Sequence, residues 1–344
     1  MIDVRNLSRF FIISIASVFI LWVGKDLFIP FVFALLVWFI IKSIRLVINK
    51  ISFVKNKLPE WIKNVFSLLI ILLVINFVVN IVYANFRILA NSIEDYTDKF
   101  ETIIRAINEQ FNINIMESLK IYFDDLDFST LFLSFFNYST GLLGTIFIVF
   151  VYTLFILLEE STFKGKLEKV FPESYDFDEN FKLINKIEVS VSKYLGLKTL
   201  ICLATSILSY IVLLIVGVDF PVFWAFLIFL LNYIPILGSY VATFIPFIFS
   251  LLQFGSFTPA LIVLFSIGTI QVVIGNFIDP RIMGNNVNLS PLVIILSLSF
   301  WGTIWGIIGM FLSVPLMIIV VITFSKIPRF RSAAILMSRN GELD

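Results

Sequence analysis

The chain contains no histidine and only one cysteine among its 344 residues. Without imidazole it cannot build a Ser-His-Asp triad, a His-ligated metal centre or a histidine proton relay. One cysteine, Cys202, set in an apolar run, excludes an internal disulfide framework. Charge is scarce too. Charged residues make up 14% of the chain and nearly cancel, to a net +1, where ordinary globular domains carry about 25%. That balance argues against nucleic acid or an acidic substrate as partner. No phosphate-binding loop is present, so ATP-driven transport would need another subunit. Nor do the apolar runs hold a Ser/Lys, paired-Asp or metal-ligand constellation, which leaves no basis for an enzyme, a cofactor or a bound metal.

What the chain has in excess is hydrocarbon: 59% of its residues are hydrophobic, with a mean hydropathy of +1.01. No soluble fold hides that much apolar surface. A bilayer core of about 30 Å takes roughly 20 apolar residues per helix, and several runs here reach that length. The fold class that follows is an all-α polytopic membrane protein with about eight membrane helices, some broken or re-entrant, plus amphipathic surface helices. Arg5 and Arg9 precede the run Phe10–Val23 in the manner of a signal peptide. With no A-x-A-like cleavage site, that run reads as a retained first helix, paired with the next through Gly24, Lys25 and Asp26.

The distribution of charge divides the chain. Residues 1–90 are N-terminal membrane helices, with Lys42, Arg45, Lys50, Lys55, Lys57 and Lys63 between the second and third runs. By the positive-inside rule that loop is cytoplasmic. Residues 91–137 are acidic and suit the opposite side. Within them Ile93, Tyr96, Phe100, Ile103, Ile107 and Phe111 recur at helical spacing, the mark of an amphipathic helix. A membrane helix over 138–158 leads to a basic stretch, 159–198, where Phe181, Ile184, Ile187, Val191 and Tyr194 share one face, read as a surface-lying linker helix. Residues 199–325 form an apolar C-terminal core. Residues 326–344, with Lys326, Arg329, Arg331 and Arg339, form a tail placing both termini in the cytoplasm.

In the core from Thr199 to Ser325 only Asp219, Asp279 and Arg281 are charged. Ionisable residues at membrane depth usually face a cavity or a partner. Asp219 reads as part of a short external turn. Asp279 and Arg281 flank Pro280, which disfavours helical geometry before it and is expected to end the preceding helix. Gln271, Gly275 and Asn276 give that helix a polar end, Gly284 marks a turn, and Ser290-Pro291 reads as an N-cap followed by proline at the first helical position. A helix C-terminus, a helix N-terminus, a carboxylate and a guanidinium would thus meet, either as a substrate or gate site or as an ion pair stiffening a loop.

Two apolar runs, Phe220–Leu252 and Leu292–Phe324, span 33 residues each. Fully helical they would reach about 50 Å, too long for one upright crossing, so each is expected to break. The first holds Asn232, Pro235 and Gly238 at its middle; the second holds Ser297, Ser299 and Gly302. Breaks in corresponding places fit a transporter's binding site or two unrelated kinks. The residues Gly302, Gly306, Gly309 and Ser313 form a small-residue stripe suited to helix packing.

Several of these segments together are recognisable: Lys193-Tyr194-Leu195, Asn232-Tyr233-Ile234-Pro235-Ile236-Leu237-Gly238, Asp279-Pro280-Arg281-Ile282-Met283-Gly284, Leu289-Ser290-Pro291-Leu292 and Gly306-Ile307-Ile308-Gly309-Met310. Over essentially its full length the chain resembles the autoinducer-2 exporter family of bacterial permeases, the PerM type. The resemblance implies export of small molecules such as autoinducer-2 across the inner membrane, with some members acting as sodium/proton antiporters. It also implies a homo-oligomer, a pentamer on the family pattern. Many members carry a histidine where this chain has Ser290, so no role of that histidine carries over. The expectation is a secondary transporter for a small polar solute. A cation/proton antiporter relying on Asp279 and a non-transporting scaffold for envelope assembly, binding partners through 91–137, are the alternatives.

Overall fold

The computed structural model describes residues 4–48, 128–170, 175–283 and 288–343, with isolated positions between 59 and 85. Among the described residues there is no β-strand, and five helices are long and apolar enough to cross a membrane. Large apolar side chains point outward, Ile215 at 76% exposure and Phe265 at 67%. Lipid, rather than water, is the solvent for such a surface. The protein is an all-α polytopic membrane protein. The loop lysines at 50, 55 and 57 and the acidic segment up to residue 127 lie outside the described residues.

Two compact units form the chain. The first comprises Met1–Ser67, Gly144–Leu197 and Met283–Asp344. It holds α1 (Val4–Val23), α2 (Lys25–Ile48), the later part of α3 (Phe128–Val170), the start of α4 (Tyr175–Val216), α9 (Pro291–Lys326) and α10 (Arg331–Met337). Helix α3 runs straight through the boundaries expected at 137 and 158. The expected separate linker helix is likewise replaced by one continuous 42-residue α4. Of its predicted apolar face, Val191 and Tyr194 are buried and Phe181, Ile184 and Ile187 are half-buried. No glycine or proline interrupts the stretch between Tyr175 and Leu195, so nothing in the backbone stops the helix before the apolar run begins.

A charged knot ties α2, α3 and α4 in this unit. Trp38 Nε1 and Arg45 donate to Glu160 at 3.0 and 2.7 Å. Lys42 lies 3.3 Å from Glu160, pairs with Glu188 and sits 4.2 Å over the Trp38 ring. Burial raises the carboxyl of Glu160, which lies just beyond the run 138–158. The hydrogen bonds from Arg45 and Trp38 and the charges of Arg45 and Lys42 outweigh that and hold it below the usual carboxylate value.

Helix α9 folds back on itself at Gly306, which adopts φ 65°, ψ −145°. Ser297 Oγ donates to the Ser313 carbonyl at 3.1 Å across 16 residues, a separation of about 24 Å in a straight helix. A Cβ on Gly309 would run into the Trp301 carbonyl, and one on Gly302 would come within 3.0 Å of Met310. The second long run is therefore a helical hairpin. Its break falls at Gly306 rather than at the expected Ser297, Ser299 and Gly302, because the ψ at the turn is one that only glycine adopts readily. The small-residue stripe serves close packing, as expected, but between the two arms of one hairpin.

The second unit comprises Leu68–Leu143 and Lys198–Ile282. Here α5 (Pro221–Leu231) and α6 (Leu237–Phe254) form another hairpin, separated by a non-helical stretch at 232–236. The Trp224 and Phe249 rings meet at 4.7 Å between centroids across the arms, tilted by 42°. At the base, Gln253 accepts from the Asp219 backbone N–H at 2.7 Å and donates to the Gly217 carbonyl at 2.9 Å. Trp224 Nε1 donates to the Asp219 carbonyl. Both bonds hold the backbone of Asp219 in the turn that precedes α5. Ser206 Oγ donates 2.7 Å to the Ala225 carbonyl, fastening α4 to α5. In lipid such hydrogen bonds and close packing replace the hydrophobic drive between helices.

Helix α7 (Phe257–Val273) does not end at Asp279 as Pro280 led one to expect. It passes through a π-helical turn, Ile274–Ile278, into α8 (Asp279–Met283), with Asp279 at φ −55°, ψ −52°. Proline lacks an N–H and presses on the carbonyl of the residue four before it. Widening the preceding turn to the π form accommodates both defects without breaking the helix.

Candidate functional site

The first hairpin's tip shows why Asn232, Pro235 and Gly238 occur together. Asn232 closes α5 by donating its N–H to Ile228 at 3.0 Å, and Pro235, unable to donate, lies in the stretch between the arms. Ile236 takes φ 63°, ψ −67°, a strained conformation for a β-branched residue. Gly238 then passes so close to Leu231 that a Cβ would overlap its carbonyl oxygen. Only glycine fits there. Such non-helical backbone must face protein or water at membrane depth.

Against this tip packs one turn of α4. Thr199 Oγ1 and the Tyr233 hydroxyl lie 2.7 Å apart. The preceding residue, Lys198, extends to Asp279 with Nζ 3.0 Å from Oδ2, the two side chains being 12% and 24% exposed. Cys202, one turn further on, is fully buried. All these residues belong to the second unit. Both charges lie in helices apolar enough to cross a membrane, Phe181–Val216 and Phe257–Met283. Pairing offsets the cost of placing either charge there, and removal of one partner leaves the other uncompensated.

Two amide nitrogens of the same unit are buried without a hydrogen-bond partner, Asn232 Nδ2 and Gln271 Nε2. Gln271 lies about two turns before Asp279 along α7 and its π-helical continuation. Unsatisfied buried donors cost about 1–3 kcal/mol each, and they are available to an acceptor that arrives from outside.

The expected site residues divide accordingly. Asp279, Asn232, Pro235, Gly238 and Gln271 belong to the same unit, with α4 linking Asp279 to the hairpin tip. Asn276 and Arg281 are exposed, and among the described residues Arg281 makes no ion pair. The expected Asp279–Arg281 pair is replaced by Asp279–Lys198, because helical geometry through Pro280 directs residues two apart to different faces. Ser290 and Pro291 belong to the first unit, where Pro291 opens α9 as expected. Ser290 has extended cap geometry, but its side chain makes no capping bond; its backbone N–H donates to Met337 at 2.9 Å. Gly284 lies outside the described residues. Sequence reasoning missed Lys198, Thr199 and Tyr233. Lys198 is the last charge before the apolar run, a position that reads equally as flanking the membrane.

Broken helices and a charge pair within helices apolar enough to cross a membrane are features that membrane permeases share. The comparison with known proteins makes the class specific. The profile of the AI-2E family transporters matches residues 11–329, and the chain belongs to that family. It is similar to the AI-2 transport protein TqsA of Escherichia coli (strain K12), with 32% identity over 323 residues covering 92% of this chain and 90% of TqsA. A putative transport protein of Haemophilus influenzae is 30% identical over 344 residues, covering 96% and 97% of the two chains. A putative transport protein of Borreliella burgdorferi is 35% identical over 205 residues, 59% of this chain and 56% of that relative. Membership of a transporter family implies a non-enzyme that sits in the bacterial inner membrane and carries a small solute.

Proposed function

We propose that the chain is a secondary transporter exporting a small polar solute, autoinducer-2 being the named cargo of TqsA, with both termini in the cytoplasm. The observation carrying this reading is the Lys198–Asp279 pair at 3.0 Å beside a broken-helix tip with unsatisfied amides. The pair neutralises the site, and Asn232 and Gln271 offer N–H donors to a solute's oxygen atoms. The strained tip at Ile236 supplies a segment that can rearrange when contacts change.

The test is solute flux in proteoliposomes, with autoinducer-2 as first cargo. Lys198→Gln and Asp279→Asn are expected to abolish flux in folded protein, and Arg281→Gln to leave it largely intact. Normal flux in a folded Asp279→Asn variant defeats the site assignment, and absence of autoinducer-2 flux in the wild type defeats the cargo. A second reading, proton-coupled cation exchange, draws on the same pair, since protonation of Asp279 would release Lys198. Sodium-driven pH change inside the vesicles, lost in Asp279→Asn, distinguishes it.

A further inference from the structure

Within the first unit, the start of α4 and the end of α9 enclose two adjoining hollows. The smaller, of about 220 Å³, runs past Lys186, Lys193, Ile318 and Ile322. The larger, of about 580 Å³, is lined by Lys182, Lys186, Lys326 and Arg331, and the two share Lys186, Ser325 and Leu343. The larger falls within the roughly 300–1,000 Å³ of ordinary ligand sites.

Five cations, Lys182, Lys186, Lys193, Lys326 and Arg331, line these hollows, and among the described residues no acidic side chain lies in either wall. Among the described residues none of the five forms an ion pair, whereas Lys42 and Arg45 of the same unit are paired with Glu160. Charges of one sign gathered in a groove repel one another and raise the local affinity for an anion. The groove is also amphipathic: Val189, Ile318, Val321 and Ile322 make an apolar wall beside the cations. Its position is equally telling. Lys182 and Lys186 lie at the start of the apolar segment Phe181–Val216, and Lys326 ends the second arm of the α9 hairpin, so the groove lies where two long apolar helical segments give way to basic residues.

We propose that this groove binds an anionic phospholipid. The headgroup phosphate meets Lys182, Lys186, Lys326 and Arg331, with the Arg331 guanidinium able to take two phosphate oxygens at once. An acyl chain lies along Ile318 and Ile322. Basic pockets between membrane helices recognise anionic headgroups in this way. A free phosphate would use the cations but leave the apolar wall unfilled.

The test uses the full chain purified in a neutral detergent and titrated with phosphatidylglycerol, with phosphatidylcholine of the same acyl chains, and with inorganic phosphate. Bound lipid is read by native mass spectrometry and by the shift of the melting temperature. Phosphatidylglycerol is expected to bind and to raise the melting temperature, while phosphatidylcholine and phosphate do neither. Lys186→Gln and Lys326→Gln should each weaken phosphatidylglycerol binding about fivefold and act together about 25-fold, from the roughly 1 kcal/mol that each cation near an anionic lipid contributes. Lys186→Arg should retain binding, and Lys166→Gln, an exposed cation outside the groove, should be silent. Equal binding of the two lipids, or unchanged binding in the double Gln variant, overturns the proposal. So does phosphate binding as tightly as phosphatidylglycerol, which would make the groove a site for a soluble anion. None of these outcomes depends on solute flux.

Discussion

Replacing Gly306 by alanine separates a hairpin from a straight helix by the sign of its effect. At φ 65°, ψ −145° nothing lies within 4 Å of where a Cβ would go. The penalty is therefore purely conformational, about 1–3 kcal/mol for a residue other than glycine in such a region. Were α9 continuous, the same change would stabilise it by about 0.5–1 kcal/mol, the ordinary gain of alanine over glycine inside a helix. The two alternatives thus differ by roughly 1.5–4 kcal/mol. Thermal unfolding in detergent, followed by far-ultraviolet circular dichroism, reads the difference. At about 2–4 °C per kcal/mol for a chain of this general size, Gly306→Ala should lower the midpoint by several degrees. A second measurement isolates the geometry. In a Cys202→Ala background, Ser297→Cys and Ser313→Cys together should join through a short thiol cross-linker, since Ser297 Oγ now lies 3.1 Å from the Ser313 carbonyl. A raised melting midpoint together with no cross-link would refute the fold-back of α9.

Other outcomes follow from single contacts. Gly238→Ala forces the Leu231 carbonyl to move, so it should destabilise the hairpin, measurably as earlier proteolysis at the 232–236 tip. Gln253→Leu strands the Asp219 N–H and the Gly217 carbonyl, at about 1–3 kcal/mol for the unsatisfied groups, read as a lower denaturation midpoint. Glu160, held below its ordinary value, contributes stability that is full above the usual carboxylate range and is lost as pH falls through the folded-state value. Glu160→Gln should therefore flatten the acid side of the melting profile, from the usual carboxylate range downwards.

Much of the fold can be read in the residues alone. Spans of apolar residues too long for one crossing had to break, since lipid sets a length that helix rise converts directly into residue number. The break beside Pro235 was legible for the same reason that proline punctuates helices everywhere: its missing donor and its ring act locally. Gly306 was not singled out, because a glycine serves packing and turning alike, and only its φ and ψ distinguish the two. Pro280 misled for a related reason. Its local preference against a helix was overridden by a π-helical turn, which absorbs the missing donor and the ring without breaking the helix.

Composition alone pointed to the membrane and the all-helical class, because those depend on transfer into lipid, while the family resemblance rested on short motifs. The partner of Asp279 was beyond them. Arg281 is two residues away and Lys198 is 81 residues away, and nothing in the intervening sequence says which will arrive. That choice was made by the tertiary structure, where the helix continues through Pro280 and brings Asp279 to the turn of α4 holding Thr199 against Tyr233. Pairing between distant charges depends on which helix faces meet, and that is a property of packed helices rather than of any local run of residues.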